Sequence, residues 1–281
     1  MLVNFGGFVP LSTVDWHGRA VCTVFFRGCS ARCFYCHNPH LQRGENRVST
    51  DYIMGLIDEA KLLISGVVFS GGECTEQPEP LRRLAEDCRD RGLKVAIHTN
   101  GAFPEHVPGL IGEVDKVSLD IKAAWEHYYD VTDLNCARHV QASLARYRDA
   151  YAAGTLPEFE VVHTVIRGHE ADVPAVAAAA EGVDLVLQQG VLGWEPPLSL
   201  AELCAVADSL DRAGQDPDER RRGGPVPGRG LHGRREHDGH GPETAPAVLQ
   251  VGGAGWRLTG STTATASKGC GRWRRTLLTL W

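Results

Sequence analysis

The sequence has no uninterrupted apolar run near the roughly 18 residues that a membrane-spanning helix requires. Its first residues, Met1 to Trp16, carry neither a basic flank nor an apolar signal core. A cytoplasmic location with no membrane partner is therefore expected. Also missing is the even cysteine set of a disulfide framework. The nine cysteines, at 22, 29, 33, 36, 74, 88, 136, 204 and 270, are odd in number and unevenly spread, which suits a reducing compartment. Basic charge is scarce where most of the chain lies. Residues 1–213 carry 18 Lys and Arg against 29 Asp and Glu, and residues 214–281 carry 11 against 6, so no nucleic-acid partner is expected. What remains is ordinary for a globular protein: 281 residues, 43% hydrophobic and 23% charged, enough to bury a sizeable core.

The feature that stands out is Cys29-Ser30-Ala31-Arg32-Cys33-Phe34-Tyr35-Cys36, with three cysteines at spacings of four and three and no fourth at ligand spacing nearby. Three thiolates can hold three corners of a four-iron cluster and leave one iron open, because such clusters are held by Cys sulfur. A closed tetrahedral zinc site completed by His37 or His40 is the alternative.

Residues 20–26 are β-branched and aromatic and stop at Arg27-Gly28, which predicts a buried strand feeding the cysteine loop. Ser49 to Asp51 can cap a helix reaching about residue 63. Strands are then expected at 66–70, 93–98, 116–121, 159–166 and 184–188, and helices at 78–91, 104–111, 134–150, 171–180 and 198–213. Six strands alternating with helices predict a parallel sheet with right-handed crossovers. Gly71-Gly72-Glu73, Thr99-Asn100, and Asp120 with Lys122 follow successive strands, which would place them on the face where α/β barrels build their sites.

From about residue 214 the composition changes to Arg, Gly, Pro and His without apolar period, and this segment holds 14 of the 32 glycines. Residues 214–281 are therefore expected to be an irregular or disordered tail, or the product of a shifted reading frame in a GC-rich gene. The frameshift is the preferred reading, because the change falls just after a well-formed helix, where a last strand is expected. His232, His237 and His240 make a weak metal-site candidate without ordered context.

The cysteine motif resembles that of the radical S-adenosylmethionine superfamily. The opening residues 5–16 (Phe-Gly-Gly-Phe-Val-Pro-Leu-Ser-Thr-Val-Asp-Trp), with Gly28-Cys29 and Tyr35-Cys36-His37-Asn38-Pro39, resemble the activating enzymes of glycyl-radical proteins, and among these the activators of anaerobic ribonucleoside-triphosphate reductase. The resemblance covers about residues 1–213. It implies an α/β fold, a partial (β/α)6 barrel of radical SAM type, in a cytoplasmic enzyme. It further implies one 4Fe-4S cluster on Cys29, Cys33 and Cys36, with S-adenosylmethionine on the open iron, reductively cleaved to yield a glycyl radical on the partner reductase. Flavodoxin or ferredoxin would supply the electron.

By the same resemblance, Gly71 and Gly72 would let backbone approach the methionine moiety, and Glu73 would accept from its ammonium. Tyr35 would lie against the adenine, Asp120 and Lys122 would reach the ribose or carboxylate, and Thr99 and Asn100 would also touch the cofactor. His163 and Arg167 are further candidates at the end of the fifth strand. Three departures stand out: His17 follows Asp15-Trp16 where Pro is usual, Cys74 replaces the common Pro after Gly-Gly-Glu, and His98 stands where some relatives use an aspartate to help hold a monovalent cation. No second cysteine cluster is present, which argues against activators with an inserted ferredoxin-like domain. Cys22, Cys88, Cys136 and Cys204 read as core residues. Activation of a pyruvate formate-lyase-like protein, another radical reaction, and a non-catalytic iron-sulfur or zinc protein are the alternatives.

Overall fold

The structure is a computed structural model that describes residues 1–213, 248–252 and 255–259. Its centre is a sheet whose first two strands form a hairpin, β1 (Leu2–Ser12) antiparallel to β2 (Val21–Phe26). A three-residue strand, β3 (Arg47–Ser49), covers the outer edge of β1. Ser49 then caps α1 (Thr50–Ala60), its side chain accepting from the Tyr52 amide, as the hydroxyl at that position predicts.

From β2 onward the expected alternation appears. It runs through β4 (Gly66–Gly71), α2 (Pro78–Asp90), β5 (Lys94–Thr99), β6 (Lys116–Asp120), a five-residue helix α3 (Tyr128–Thr132), α4 (Ala137–Ala152), β7 (Glu158–Val165), α5 (Val173–Ala179), β8 (Asp184–Gln189) and α6 (Leu200–Ala213). The expected helix at 104–111 is a 3-10 segment, Pro104–Gly109, with Pro104 and Pro108 withholding two amide donors. Strands β2, β4, β5, β6, β7 and β8 pair in parallel in that order. The helices bury apolar stripes on the sheet's outer face. In α2, Leu81, Leu84, Ala85 and Cys88 recur at helical spacing and are fully buried. Cys22, Cys74, Cys88 and Cys136 are likewise buried and Cys204 is half-buried, while Cys270 lies outside the described residues.

The sheet does not close on itself: its order runs β10-β9-β8-β7-β6-β5-β4-β2-β1-β3, so it is a partial barrel with antiparallel strands at both flanks. Two of those flanking strands, β9 (Val248–Gly252) and β10 (Gly255–Thr259), fall in the last part of the chain, where the sequence offers a strand-like piece. β9 pairs antiparallel with β8, and β10 with β9. The readings of a frameshifted segment and of a site at His232, His237 and His240 otherwise fall on 214–247 and 260–281, outside the described residues. Among the described residues no helix is long and apolar enough to cross a membrane.

The inner face of the sheet carries a band of polar side chains among apolar ones such as Val162 and Val186. Lys116, Ser118 and Asp120 alternate along β6, Glu160 and Thr164 along β7, with His98 and Gln188 from β5 and β8, and all of them line one cavity. Thr13, Val14, Asp15 and His17, from the β1–β2 connection, line it as well. Trp16 there is 1% exposed and clusters with Val21, Val68 and Ala96, apart from the main core. Its indole Nε1 donates to Glu158 at 2.9 Å.

Candidate functional site

The cysteine loop begins where β2 ends, and the backbone of Gly71-Gly72-Glu73 is bonded directly to that junction. Gly72 N donates to Phe26 O, and Glu73 N to Gly28 O, both at 2.8 Å. Contact is so close that a Cβ on Gly72 would stand 2.1 Å from Gly28 O, and one on Gly71, whose φ is +119°, 2.2 Å from Phe26 O. The two glycines are therefore required by the protein's own backbone, which is a different reason from the approach of a cofactor.

Cys29, Cys33 and Cys36 are half-buried, free, and line the same cavity of about 420 Å³, together with Tyr35, Gly71, Gly72, Glu73, Asn100, Asp120 and Lys122. Thr99 is absent from that wall. Its hydroxyl turns to Glu73, donating to Oε1 at 2.7 Å, so the expected cofactor contact becomes a positioning contact. Glu73, 2% exposed, also accepts from the Thr75 amide at 3.0 Å, the Thr75 hydroxyl at 2.6 Å and the Asn100 amide at 2.7 Å. Oε1 takes three of these four bonds and Oε2 only one, so Oε2 keeps capacity for a further donor. Burial pushes the Glu73 carboxyl above its ordinary value, and the hydrogen bonds act against that rise.

Asn100 Nδ2 lies 3.8 Å from Cys29 Sγ. Burial, reinforced by the Glu73 charge, pushes the Cys29 thiol up to about 12, and burial also raises Cys33. Asp120 and Lys122 pair with each other at 3.1 Å and line the same cavity. Burial works against the Lys122 ammonium, but Asp120 together with Tyr35, Cys33 and Tyr128 outweighs it, and the Lys122 pKa is raised. Lys122 Nζ stands 5.9 Å from the Tyr35 ring centroid. The Tyr35 hydroxyl is buried without a hydrogen-bond partner, an unmet polar group at the cavity wall.

The other two candidates lie elsewhere. His163 alternates to the buried outer side of β7, where Nδ1 is 2.7 Å from Ile121 O. Arg167 is bound by Glu202 and the carbonyls of Pro196 and Pro197. Several cavity residues were not singled out from sequence. They include Lys116, which pairs with Glu160 at 2.9 Å, and Ser118, which donates to the same Glu160 oxygen at 2.7 Å. The alternation extending back from Asp120 through 118 and 116 was the signal that could have found them. Of the three departures, His98 and His17 line the cavity, His98 Nε2 lying 3.1 Å from Asp15 O, while the Cys74 thiol is buried against His98 O at 3.4 Å.

The donor set fits a four-iron cluster: three thiols line one cavity beside an unpartnered phenol, with room for a further ligand. Of the two histidines that could complete a zinc site, His37 lines the cavity and His40 is exposed.

The sequence profile of the Radical SAM superfamily matches residues 23–172, more than half of the chain. The chain belongs to the radical SAM superfamily. Radical SAM enzymes use a 4Fe-4S cluster and S-adenosylmethionine, in keeping with the three cysteines and the cavity they line. Among relatives, a protein of Methanocaldococcus jannaschii named for glycyl-radical enzyme activation is 34% identical over 125 residues, 43% of this chain and 51% of the relative. The pyruvate formate-lyase 1-activating enzyme of Escherichia coli K12 is 32% identical over 124 residues, 41% of this chain and 50% of the relative. The chain thus spans about half the length of these relatives. Among solved structures, TYW1 with a lysine-pyruvate adduct bound has a TM-score of 0.55 at 14% identity, over 70% of this chain and 76% of that one. Streptococcus suis SuiB bound to S-adenosylmethionine has a TM-score of 0.52 at 13% identity, over 66% and 45%. These two likenesses are of fold.

Proposed function

We propose that this radical SAM protein is an activase that generates a glycyl radical on a partner enzyme, and that the partner is an anaerobic ribonucleoside-triphosphate reductase. The observation that carries the reading is the joining of the three-cysteine loop to Gly71-Gly72-Glu73 at the mouth of one polar cavity. When bound, the cluster and S-adenosylmethionine supply a one-electron cleavage of the sulfonium that ends in hydrogen abstraction from the substrate carbon.

The chain's own residues bind and orient. Cys29, Cys33 and Cys36 would hold the cluster, with S-adenosylmethionine beside it. Glu73 Oε2, with acceptor capacity left, would take the ammonium. Lys122 and Asp120 would meet the carboxylate or ribose, Asn100 donates toward Cys29 sulfur, and Tyr35 would offer its ring and free hydroxyl to the adenosine side. Thr75 and Thr99 hold Glu73 in place. A docked partner loop would cover the mouth and exclude water. The electron comes from flavodoxin or ferredoxin in this reading.

The resemblance of residues 5–16 favours the reductase as partner, and the relative named as a pyruvate formate-lyase activator favours a second reading, activation of a pyruvate formate-lyase-like protein. Anaerobic reconstitution followed by reduction should release 5'-deoxyadenosine from S-adenosylmethionine. A glycyl radical signal should then appear only when the reductase is added. No 5'-deoxyadenosine would refute the activity, and a radical on a formate-lyase-type protein alone would select the second partner.

A further inference from the structure

Glu76 closes the short 3-10 turn Cys74–Glu76 that follows Gly71-Gly72-Glu73. Its Oε1 accepts from both the backbone amide and the hydroxyl of Ser30, each at 2.5 Å, across 46 residues of sequence. Its Oε2 would lie 3.4 Å from a Cβ on Gly28, so the carboxylate brackets Cys29 from the residues on either side. Gly28 has a φ of +105°, a conformation that leaves the loop's entry to glycine. Among the described residues no Lys, Arg or His forms an ion pair with Glu76. The charge is half-buried and local, where Coulomb effects are screened less than in open water.

We propose that Glu76 is a positioning residue for the cysteine loop: it clamps the loop at Ser30, and its negative charge beside Cys29, across from the Arg32 guanidinium that donates to the Cys29 carbonyl, makes the bound cluster harder to reduce than it would be without that carboxylate. The proposal rests on the reading that this loop holds a cluster. Adding an electron next to a fixed anion costs Coulomb energy, so the carboxylate sharpens the reducing power of the cluster once the electron has arrived.

The test uses the full chain and the variants Glu76→Gln and Ser30→Ala, each in metal-free and reconstituted form. On the metal-free chain, amide hydrogen exchange over residues 28–32 should quicken in both variants, because each loses part of the clamp. On the reconstituted chain at one fixed potential, Glu76→Gln should raise the ratio of reduced to oxidised cluster about tenfold, equivalent to about 59 mV for one electron. Ser30→Ala keeps the charge and should leave that ratio unchanged. Unaltered exchange in both variants overturns the clamp. An unaltered ratio in a Glu76→Gln protein of normal iron content overturns the charge effect, while the wild-type cluster still supports the broader reading. A wild-type chain that takes up no reducible cluster overturns both.

Discussion

His163 illustrates how one buried group ties stability to pH. Burial lowers its pKa, against the pull of the Ile121 carbonyl, Asp172 and Asp120 and together with the push of Lys122, and its Nε2 has no partner. The unfolded chain therefore binds this proton first. The contribution is fully present above the ordinary histidine value of about 6.5 and is lost as pH falls from there to the lowered folded value. Urea unfolding of the metal-free chain from about pH 7.5 to about pH 5 should show this loss, and His163→Gln should remove its share. An equal slope in both proteins would refute the assignment. At this scale the meeting of the three cysteines and Glu73 in one cavity was legible, because their spacing and order along the chain carry the signal. Thr99 stands at the expected turn with its hydroxyl on Glu73, which sequence does not give, since a strand end specifies position but not which way a hydroxyl turns. Glu76 and Ser30 were invisible, because their bond joins residues far apart in sequence and follows no periodic pattern.

The junction of β2 with β4 is where the elements constrain each other most. A Cβ at Gly72 would meet backbone, which cannot yield as a flexible side chain does. Gly72→Ala should therefore push the cysteine loop off β4, and iron bound per chain after reconstitution should fall by at least half, a rough estimate from the several kcal/mol that forced backbone shifts cost. Full iron content in a stable Gly72→Ala protein would show that the loop does not depend on this contact. The alternating strands and helices from β2 to α6 were legible because period 2 and period 3.6 change over sharply at glycines and caps. Strand β1 was not, because Gly6, Gly7 and Pro10 interrupt its pattern and its pairing with β2 slips in register twice. Helix α3, only five residues long, is too short to show a period.

Across the whole molecule, chain order of the parallel strands could be anticipated from the right-handed crossover rule, but the antiparallel flanks could not. The polar interior was equally hidden, since alternating polar residues in a strand read as solvent-facing until a sheet curls around them. Trp16 is buried against Val21, Val68 and Ala96, and Trp16→Ala should cost about 3–5 kcal/mol in urea unfolding, whereas Trp16→Phe should cost less by keeping a ring. A loss below about 1 kcal/mol would mean that the indole fills no enclosed space. The three cysteines and Glu73 line that same interior. Under the proposed activity, a partner's loop docked at the cysteine-loop mouth would stand in the way of departing methionine and 5'-deoxyadenosine, so the pace of repeated activation would follow how quickly the finished partner lets go.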